Sequence, residues 1–192
     1  STFDINEFWK HSIGVGMAAE SIAKFTKHAT PSDMFTSGLI HDMGKVALFT
    51  IDREEVEKIS QWAMDKKISY FEAEKQLDVP DHTYIGKLLA EKWSLPFSMQ
   101  AIIKHHHQKD PNLRSGLSGD LNNSVDVVYL ANLFVHALKF GNSGHKKVLG
   151  APKDVMERMT IDPQKDFKPL IGEIKENLDK AEDFLRTILG QT

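Results

Sequence analysis

Apolar residues along this chain recur three and four positions apart, and stretches that alternate apolar with polar residues are nearly absent. This spacing places apolar side chains on one face of an α-helix, whereas alternation is typical of a half-buried β-strand. Runs rich in Val, Ile and Thr, which favour strands, are also scarce. The pattern therefore predicts an all-α fold.

Polar residues suited to capping mark several predicted helix starts. Ser69 and Glu72 have the spacing of a capping box, in which the side chain of each residue bonds to the backbone N–H of the other. Asp4 and Glu7 have the same spacing. Further N-caps are predicted at Asp81, Ser124 and Asp166.

The pair His41-Asp42 falls near a predicted helix end. Pro31 is suited to the first turn of a helix, and Gly44 is the residue expected to stop it. A separate helix is expected from Asp52 to Met64. The pair therefore lies where a side chain can reach beyond the end of its own helix.

Two stretches rich in Gly, Ser and Asn, residues 109–123 and 141–150, are predicted loops. The second loop divides a main helical domain, residues 1–140, from a C-terminal segment, residues 141–192. This segment ends, before Gly190, in an apolar helical stripe of Leu170, Ile171, Ile174, Leu178, Ala181, Leu185, Ile188 and Leu189. Docking of the stripe on the chain's own core is the preferred interpretation, and a homodimer seam is the alternative.

Composition restricts the classes of function. With 41% hydrophobic and 27% charged residues the chain resembles folded globular proteins. A formal net charge of -3 provides no basic field, so nucleic acid is not an expected partner. The absence of a long apolar run excludes a bilayer-spanning segment and a membrane partner, and the absence of cysteine leaves imidazole and carboxylate as metal ligands. A cytoplasmic location is expected.

Several histidines and one aspartate occupy positions on apolar helix faces. They are His11, His82, His106 and Asp126. One such histidine alone is more often a core residue bonded to a backbone carbonyl, which is the interpretation for His28, His136 and His145. Four together favour a metal site, because a buried carboxylate needs a cation, a strong donor or protonation.

His41 and Asp42 are about 100° apart on a helix, so they can share an ion only if it lies off the end or the edge of that helix. The predicted shell consists of His11, His41, Asp42 and Asp126, and its nitrogen and oxygen donors suit Mn, Fe or Zn. A second ion, bridged through Asp42, would use His82 and the His105–His107 run, which would make a two-metal centre. One or two ions are therefore expected.

Four segments together resemble the HDOD family, a branch of the HD superfamily of metal-dependent phosphohydrolases related to the HD-GYP cyclic-di-GMP phosphodiesterases. They are Phe8-Trp9-Lys10-His11-Ser12, His41-Asp42-Met43-Gly44-Lys45, Asp81-His82 through Trp93-Ser94-Leu95-Pro96, and His105–His107. The resemblance covers residues 3–139 and is specific in combination. It implies an HD-domain-like helical bundle with bound divalent metal, to which the C-terminal amphipathic helix is an addition.

The resemblance also assigns roles by position in the motifs. It makes His11, His41, Asp42 and Asp126 the primary ligands, and His82, His106 and His107 the additional ligands of two-metal members. Catalytic roles fall to Asp42 and to Lys45, which resembles a lysine that assists phosphate. The His105–His107 run leaves its register open, and Glu7 is preferred as a solvated helix cap over a cavity residue.

Two departures from the family limit what the resemblance implies. After His107 the chain continues Gln108-Lys109-Asp110-Pro111, without the Gly-Tyr-Pro loop of the cyclic-di-GMP phosphodiesterases, so that substrate is not carried over. HDOD proteins also have a helical segment upstream of the Trp-x-His-Ser motif, whereas this chain begins almost at the motif. A fragment of a longer protein or an unusual architecture would explain this.

Three hypotheses follow. The first is a bacterial regulatory domain in signal transduction that binds metal, a nucleotide or a signalling partner protein without fast turnover. The alternative is an active metal-dependent phosphohydrolase or phosphodiesterase acting on a nucleotide or cyclic dinucleotide, with Lys45 stabilising developing charge. In the third, the histidines are relics within a helical scaffold.

Overall fold

The computed structural model describes residues 1–189, and every regular element in that range is helical. The elements are α1 (Ile5–Thr26), α2 (Pro31–Ile40), α3 (Met43–Ile51), α4 (Arg53–Lys66), α5 (Tyr70–Gln76), α6 (His82–Lys92), α7 (Phe97–His105), a 3-10 turn (Pro111–Leu113), α8 (Gly119–Ala137), α9 (Lys153–Arg158) and α10 (Phe167–Leu189). The prediction of an all-α fold is confirmed.

Side-chain caps start α1, α4, α5, α6 and α8. Ser69 and Glu72 form the predicted capping box of α5, and Asp81 accepts a hydrogen bond from the Tyr84 backbone N–H (2.9 Å) at the start of α6. The N-cap predicted at Ser124 is wrong, because α8 begins five residues earlier, at Gly119 after the cap Ser118. The predicted loop 109–123 is correspondingly shorter.

The His41-Asp42 pair forms the junction between two helices, since His41 is the C-cap of α2 and Asp42 precedes the first residue of α3. Gly44 was predicted to end a helix and instead lies in the first turn of α3. A Cβ atom at Gly44 would lie 1.9 Å from the His82 carbonyl oxygen. Glycine is needed here so that α3 can contact the backbone of α6.

A second close approach joins α1 to α2. A Cβ atom at Gly38 would lie 2.8 Å from Gly16 Cα and 2.8 Å from the Val15 carbonyl oxygen. Contact between the two backbones brings the rings of His11, on α1, and His41, at the end of α2, to a centroid separation of 6.0 Å. The two glycine-dependent crossings thus bring α1 and α6 close to the two helices that meet at His41-Asp42.

The C-terminal helix packs on the chain's own core. Its buried residues, Leu170, Ile174, Leu178 and Ala181, belong to the same apolar cluster as the buried residues of α1 and α8. Lys10 on α1 pairs with Glu182 at 2.8 Å. The side chains of Ile188 and Leu189, and Gly190, lie outside the described part. Among the described helices, none is long and apolar enough to cross a membrane.

Candidate metal centre

Six of the predicted ligands meet in the interior, between the ends of α2 and α7 and the faces of α1 and α6. They form two groups that share Asp42: the His11 group, which is His11, His41 and Asp42, and the His82 group, which is Asp42, His82, His106 and His107. Within each group one ligand atom of every residue lies within 4.8 Å of the others. A shared carboxylate is the arrangement that the sequence predicted for two ions.

His41 and His106 are oriented by the same local device. His41 Nδ1 donates to the Gly38 carbonyl oxygen (2.7 Å), and His106 Nδ1 donates to the Ile103 carbonyl oxygen (2.9 Å). Each acceptor lies three residues back, in the last turn of the preceding helix. Because the proton sits on Nδ1, the Nε2 lone pair of each ring faces Asp42, at 3.4 Å for His41 and 3.3 Å for His106.

His82 is oriented by a buried carboxylate on the neighbouring helix α5. Glu74 accepts from His82 Nδ1 (2.7 Å) and from the His82 backbone N–H (2.8 Å), so one side chain fixes both ring and backbone. The Nε2 atom of His82 then lies 3.0 Å from Asp42 Oδ1. Glu74 is fully buried. Glu74 lies eight residues before His82, but no motif in the sequence indicates this contact.

The residues present fit a divalent metal. Three buried atoms that face one another have no hydrogen-bond partner: His41 Nε2, His106 Nε2 and Asp42 Oδ1. A buried polar atom left unsatisfied costs roughly 1–3 kcal/mol, so three together need an explanation. Convergent imidazole nitrogens and a carboxylate oxygen are the donors that Mn, Fe and Zn accept.

Burial also keeps most of the imidazoles in the form that binds metal. It lowers the pKa of His41 to about 3 and lowers the pKa values of His11, His106 and His107 below the ordinary range. His82 differs. Burial would lower its pKa, but the Glu74 carboxylate, assisted by Asp42, outweighs burial and raises it to about 9. Of these five rings, His82 is the one that would have to lose a proton to bind a metal through Nε2.

Lys45 lies against the shared carboxylate. Its Nζ atom is 2.7 Å from Asp42 Oδ2 and donates to the Ser143 carbonyl oxygen at 3.1 Å, with the ring of Tyr70 beneath it at 4.6 Å. Burial would raise the pKa of Asp42, but Lys45 and His41 outweigh it and hold the pKa well below its ordinary value. Asp42 is therefore an anion.

Asp126 was predicted to complete the shell around His11, and the structure does not bring it there. Its carboxylate pairs with Arg114 Nη2 (2.6 Å) and with Arg158 Nε and Nη2 (3.0 and 3.1 Å). The buried carboxylate does have a cation, as predicted, but the cation is a pair of arginines. From α8, Asn132 contacts His11 instead, with its Oδ1 3.0 Å from His11 Nε2.

The remaining candidates are placed as follows. His106 and His107 belong to the His82 group, and His105 does not. The side chain of Glu7 is exposed, in the first turn of α1. His28 lies apart from the centre, with its Nε2 atom 3.2 Å from Thr160 Oγ1.

His136 and His145, for which the sequence predicted no role at the site, lie on the His11 side of the centre. The His136 ring lies 4.4 Å from that of His11, and the His145 ring lies 4.3 Å from that of His136. Burial lowers the pKa of His136 to about 4 and that of His145 to about 2, so both are neutral. His136 lies on α8 and His145 in the loop 141–150, and sequence spacing connects neither of them to α1.

A cavity of about 270 Å³ opens beside the His82 group. Its walls include His106, His107, His136 and His145, the aromatic rings of Phe71 and Tyr129, and the side chains of Lys75 and Lys147. Phe71 stacks on His107 at 4.7 Å with an interplanar angle of 16°. His106 and His107 therefore form part of the wall of this cavity, whose charged lining residues are Lys75, Lys147 and Glu72.

The HDOD domain family matches residues 1–109, more than half of the chain and the part that contains all six clustered ligands. The chain belongs to the HDOD family. This confirms the resemblance seen in the four segments.

Relatives of this HDOD domain are similar at moderate identity. An HDOD domain protein of unknown function from Geobacter sulfurreducens has a TM-score of 0.75 at 23% identity, over 96% of this chain and 63% of that one. A Shewanella amazonensis protein named "Putative phosphohydrolase" has a TM-score of 0.61 at 20% identity, over 93% and 60%. An uncharacterized Treponema pallidum protein is 26% identical over 53% of this chain and 20% of its own length. The chain thus spans less than two thirds of each relative.

Proposed function

We propose that the cluster is a two-metal centre and that this HDOD domain is a metal-dependent phosphohydrolase for a small phosphate ester. The observation that carries the proposal is the set of three buried, unpartnered atoms, on His41, His106 and Asp42. They belong to ligand groups that share one carboxylate, and the two oxygens of a carboxylate can serve two ions.

The His11 group would hold one ion, with the Asn132 amide beside it, and the His82 group would hold the other. The mixed nitrogen and oxygen donors suit Mn, Fe or Zn. When bound, such ions polarise a phosphoryl oxygen and make water a stronger nucleophile. The chain's own contribution is to bury the ligands, to fix their tautomers and to keep Asp42 ionised.

The cavity beside the His82 group supports a small anionic substrate. Lys75 and Lys147 line it and attract a phosphate group, and Tyr129 offers a face on which an aromatic base can stack. Its volume of about 270 Å³ is near the lower end of the roughly 300–1,000 Å³ usual for ligand pockets. A mononucleotide fits this description better than a cyclic dinucleotide.

Metal content is the first test. Protein purified without chelator or metal-affinity resin is subjected to elemental analysis, beside Asp42→Ala and the control Asp65→Ala, an exposed aspartate on α4. Near two ions per chain in the wild type and in Asp65→Ala, and loss in Asp42→Ala, is the expected result. Wild-type protein that stays metal-free after loading with Mn, Fe or Zn contradicts the proposal.

Turnover is the second test. Metal-loaded protein is assayed on p-nitrophenyl phosphate, its bis ester, AMP and cyclic-di-GMP, and activity on a small ester that Asp42→Ala abolishes is expected. Lys147→Ala should raise KM because it removes charge from the cavity. Lys146→Ala is the matched control, since the neighbouring Lys146 lines adjacent clefts but not this one.

A second candidate is a regulatory domain that binds nucleotide and metal without turnover. The observation that favours it is the small number of free ligands in the His11 group. Arginines hold Asp126 away from this group, and Lys45 already donates to Asp42 Oδ2 at 2.7 Å. Such a domain would act in the cytoplasm through a signalling partner protein or a homodimer. Stoichiometric metal and AMP binding, combined with inertness toward every ester tested, would select this candidate.

A further inference from the structure

Asp126 lies between two arginines that hold the chain immediately after the ligand pair His106–His107. Arg114 is fully buried, and its Nη2 atom donates to Asp126 Oδ1 at 2.6 Å. Arg158, on α9, donates to both oxygens of the same carboxylate. These three residues are named the arginine clamp. No part of the proposed metal chemistry uses their charges.

The clamp grips two consecutive backbone carbonyls. Arg114 Nε and Nη2 donate to the Gln108 carbonyl oxygen at 2.9 and 2.7 Å, and Arg158 Nη2 donates to the Lys109 carbonyl oxygen at 2.8 Å. Both carbonyls lie beyond the end of α7, where no helix supplies donors. Because Asp126 fixes both guanidinium groups, it fixes the path of the chain that leaves His107.

His106 and His107 depend on this path to different degrees. His106 is held by its own helix through the Ile103 carbonyl. His107 is one residue further along, in the turn, and its ring must meet His82 Nε2 at 3.1 Å while it stacks on Phe71. A shift of the turn therefore moves His107 before it moves His106.

We propose that the arginine clamp positions His107, so that Arg158 on α9 sets the affinity of the His82 group for its ion without touching that ion. The inference rests on the proposed two-metal centre. It makes Asp126, Arg114 and Arg158 positioning residues, and it gives the C-terminal segment a direct hold on one half of the centre.

The test is titration of Mn²⁺ into metal-free, full-length protein by calorimetry. His107→Ala identifies the binding event that belongs to the His82 group. Arg158→Ala is expected to weaken that event about tenfold, the lower end of the effect of residues that support metal ligands, and to leave the other event unchanged. Lys153→Ala is the matched control, because Lys153 is exposed on the same helix and pairs within it, with Glu157.

A double-mutant cycle separates positioning from a general structural role. If Arg158 acts through His107, Arg158→Ala should add nothing to the affinity loss in a His107→Ala background, whereas general destabilisation costs the same in both. Arg158→Lys keeps a charge near Asp126 but cannot reach both acceptors at once, so an intermediate affinity is expected.

Two outcomes overturn the inference. If Arg158→Ala binds Mn²⁺ as Lys153→Ala does while the wild type takes up two ions, the clamp has no such role and the proposed function stands. If no binding event responds to His107→Ala, the two-metal centre and the clamp fail together. Asp126→Ala is a poorer probe, since it leaves Arg114 buried without its carboxylate and endangers folding.

Discussion

Glu74→Gln tests whether the buried carboxylate behind His82 is part of the centre. The substitution keeps the shape of the side chain and removes its charge. Glu74 now accepts two hydrogen bonds from His82, one from Nδ1 at 2.7 Å and one from the backbone N–H at 2.8 Å. A carboxamide has one acceptor oxygen, so its NH₂ group must face one of these two donors. The ring of His82 loses either its tautomer or its orientation.

The expected magnitude follows from the position of Glu74. Residues that hold a metal-bound histidine through its second nitrogen typically change metal affinity by about 10–100-fold when they are replaced. At about 1.4 kcal/mol per factor of ten, the loss is about 1.4–2.8 kcal/mol of binding free energy. The loss should fall on the His82 group, because Glu74 bonds to His82, and the two groups share only Asp42.

Calorimetric titration with Mn²⁺ measures this loss, with Glu91→Gln as the control. Glu91 is exposed on α6, the helix of His82, and pairs with Lys87 at 2.6 Å. Wild-type affinity in the control and a weakened second event in Glu74→Gln are expected. Equal affinities in both variants would refute the reasoning, because the geometry would then not limit binding.

Further predictions concern stability. Gly44→Ala should lower the free energy of unfolding by at least the upper part of the roughly 1–3 kcal/mol usual for overpacking, because the new Cβ meets backbone instead of a movable side chain. Urea unfolding measures this loss. Gly172→Ala is the control: its Cβ meets nothing, so a small gain in stability is expected. Asp126→Ala should lower the free energy of unfolding by about 3–5 kcal/mol, since Arg114 stays buried without its partner, and stability within 1 kcal/mol of the wild type would contradict this. Removing metal by chelation should lower the stability of the wild type by about 2.7 kcal/mol when the metal was present at a hundred times Kd, and should leave Asp42→Ala unaffected in the same thermal scan.

Local signals in the sequence predicted the parts of this fold that depend on neighbouring residues. The capping box at Ser69 and Glu72 and the N-cap Asp81 form as expected because side chain and backbone meet within one turn. The position of His41-Asp42 at a helix end was also predictable. The prediction that Gly44 ends a helix was wrong, although glycine ends many helices. The contact with α6 shows that glycine is needed here because another backbone packs against it.

The error at Asp126 has a physical origin. A carboxylate on an apolar helix face does need a positive partner, and the partner predicted from the sequence was a metal ion. The actual partners are Arg114, in a predicted loop, and Arg158, on a helix that the sequence analysis did not predict. Contacts between segments 12 and 32 residues apart are set by the path of the loops, which periodicity does not describe.

The two halves of the centre depend on different parts of the fold. The His11 group is assembled by the crossing of α1 with α2, where Gly38 meets Gly16. The His82 group needs the crossing of α3 with α6 at Gly44, the carboxylate of Glu74 and the arginine clamp. Asp42 alone belongs to both. Changes to Glu74 or Arg158 should therefore weaken the binding of the ion in the His82 group and leave the other ion bound. Only a change at Asp42 should abolish the binding of both ions.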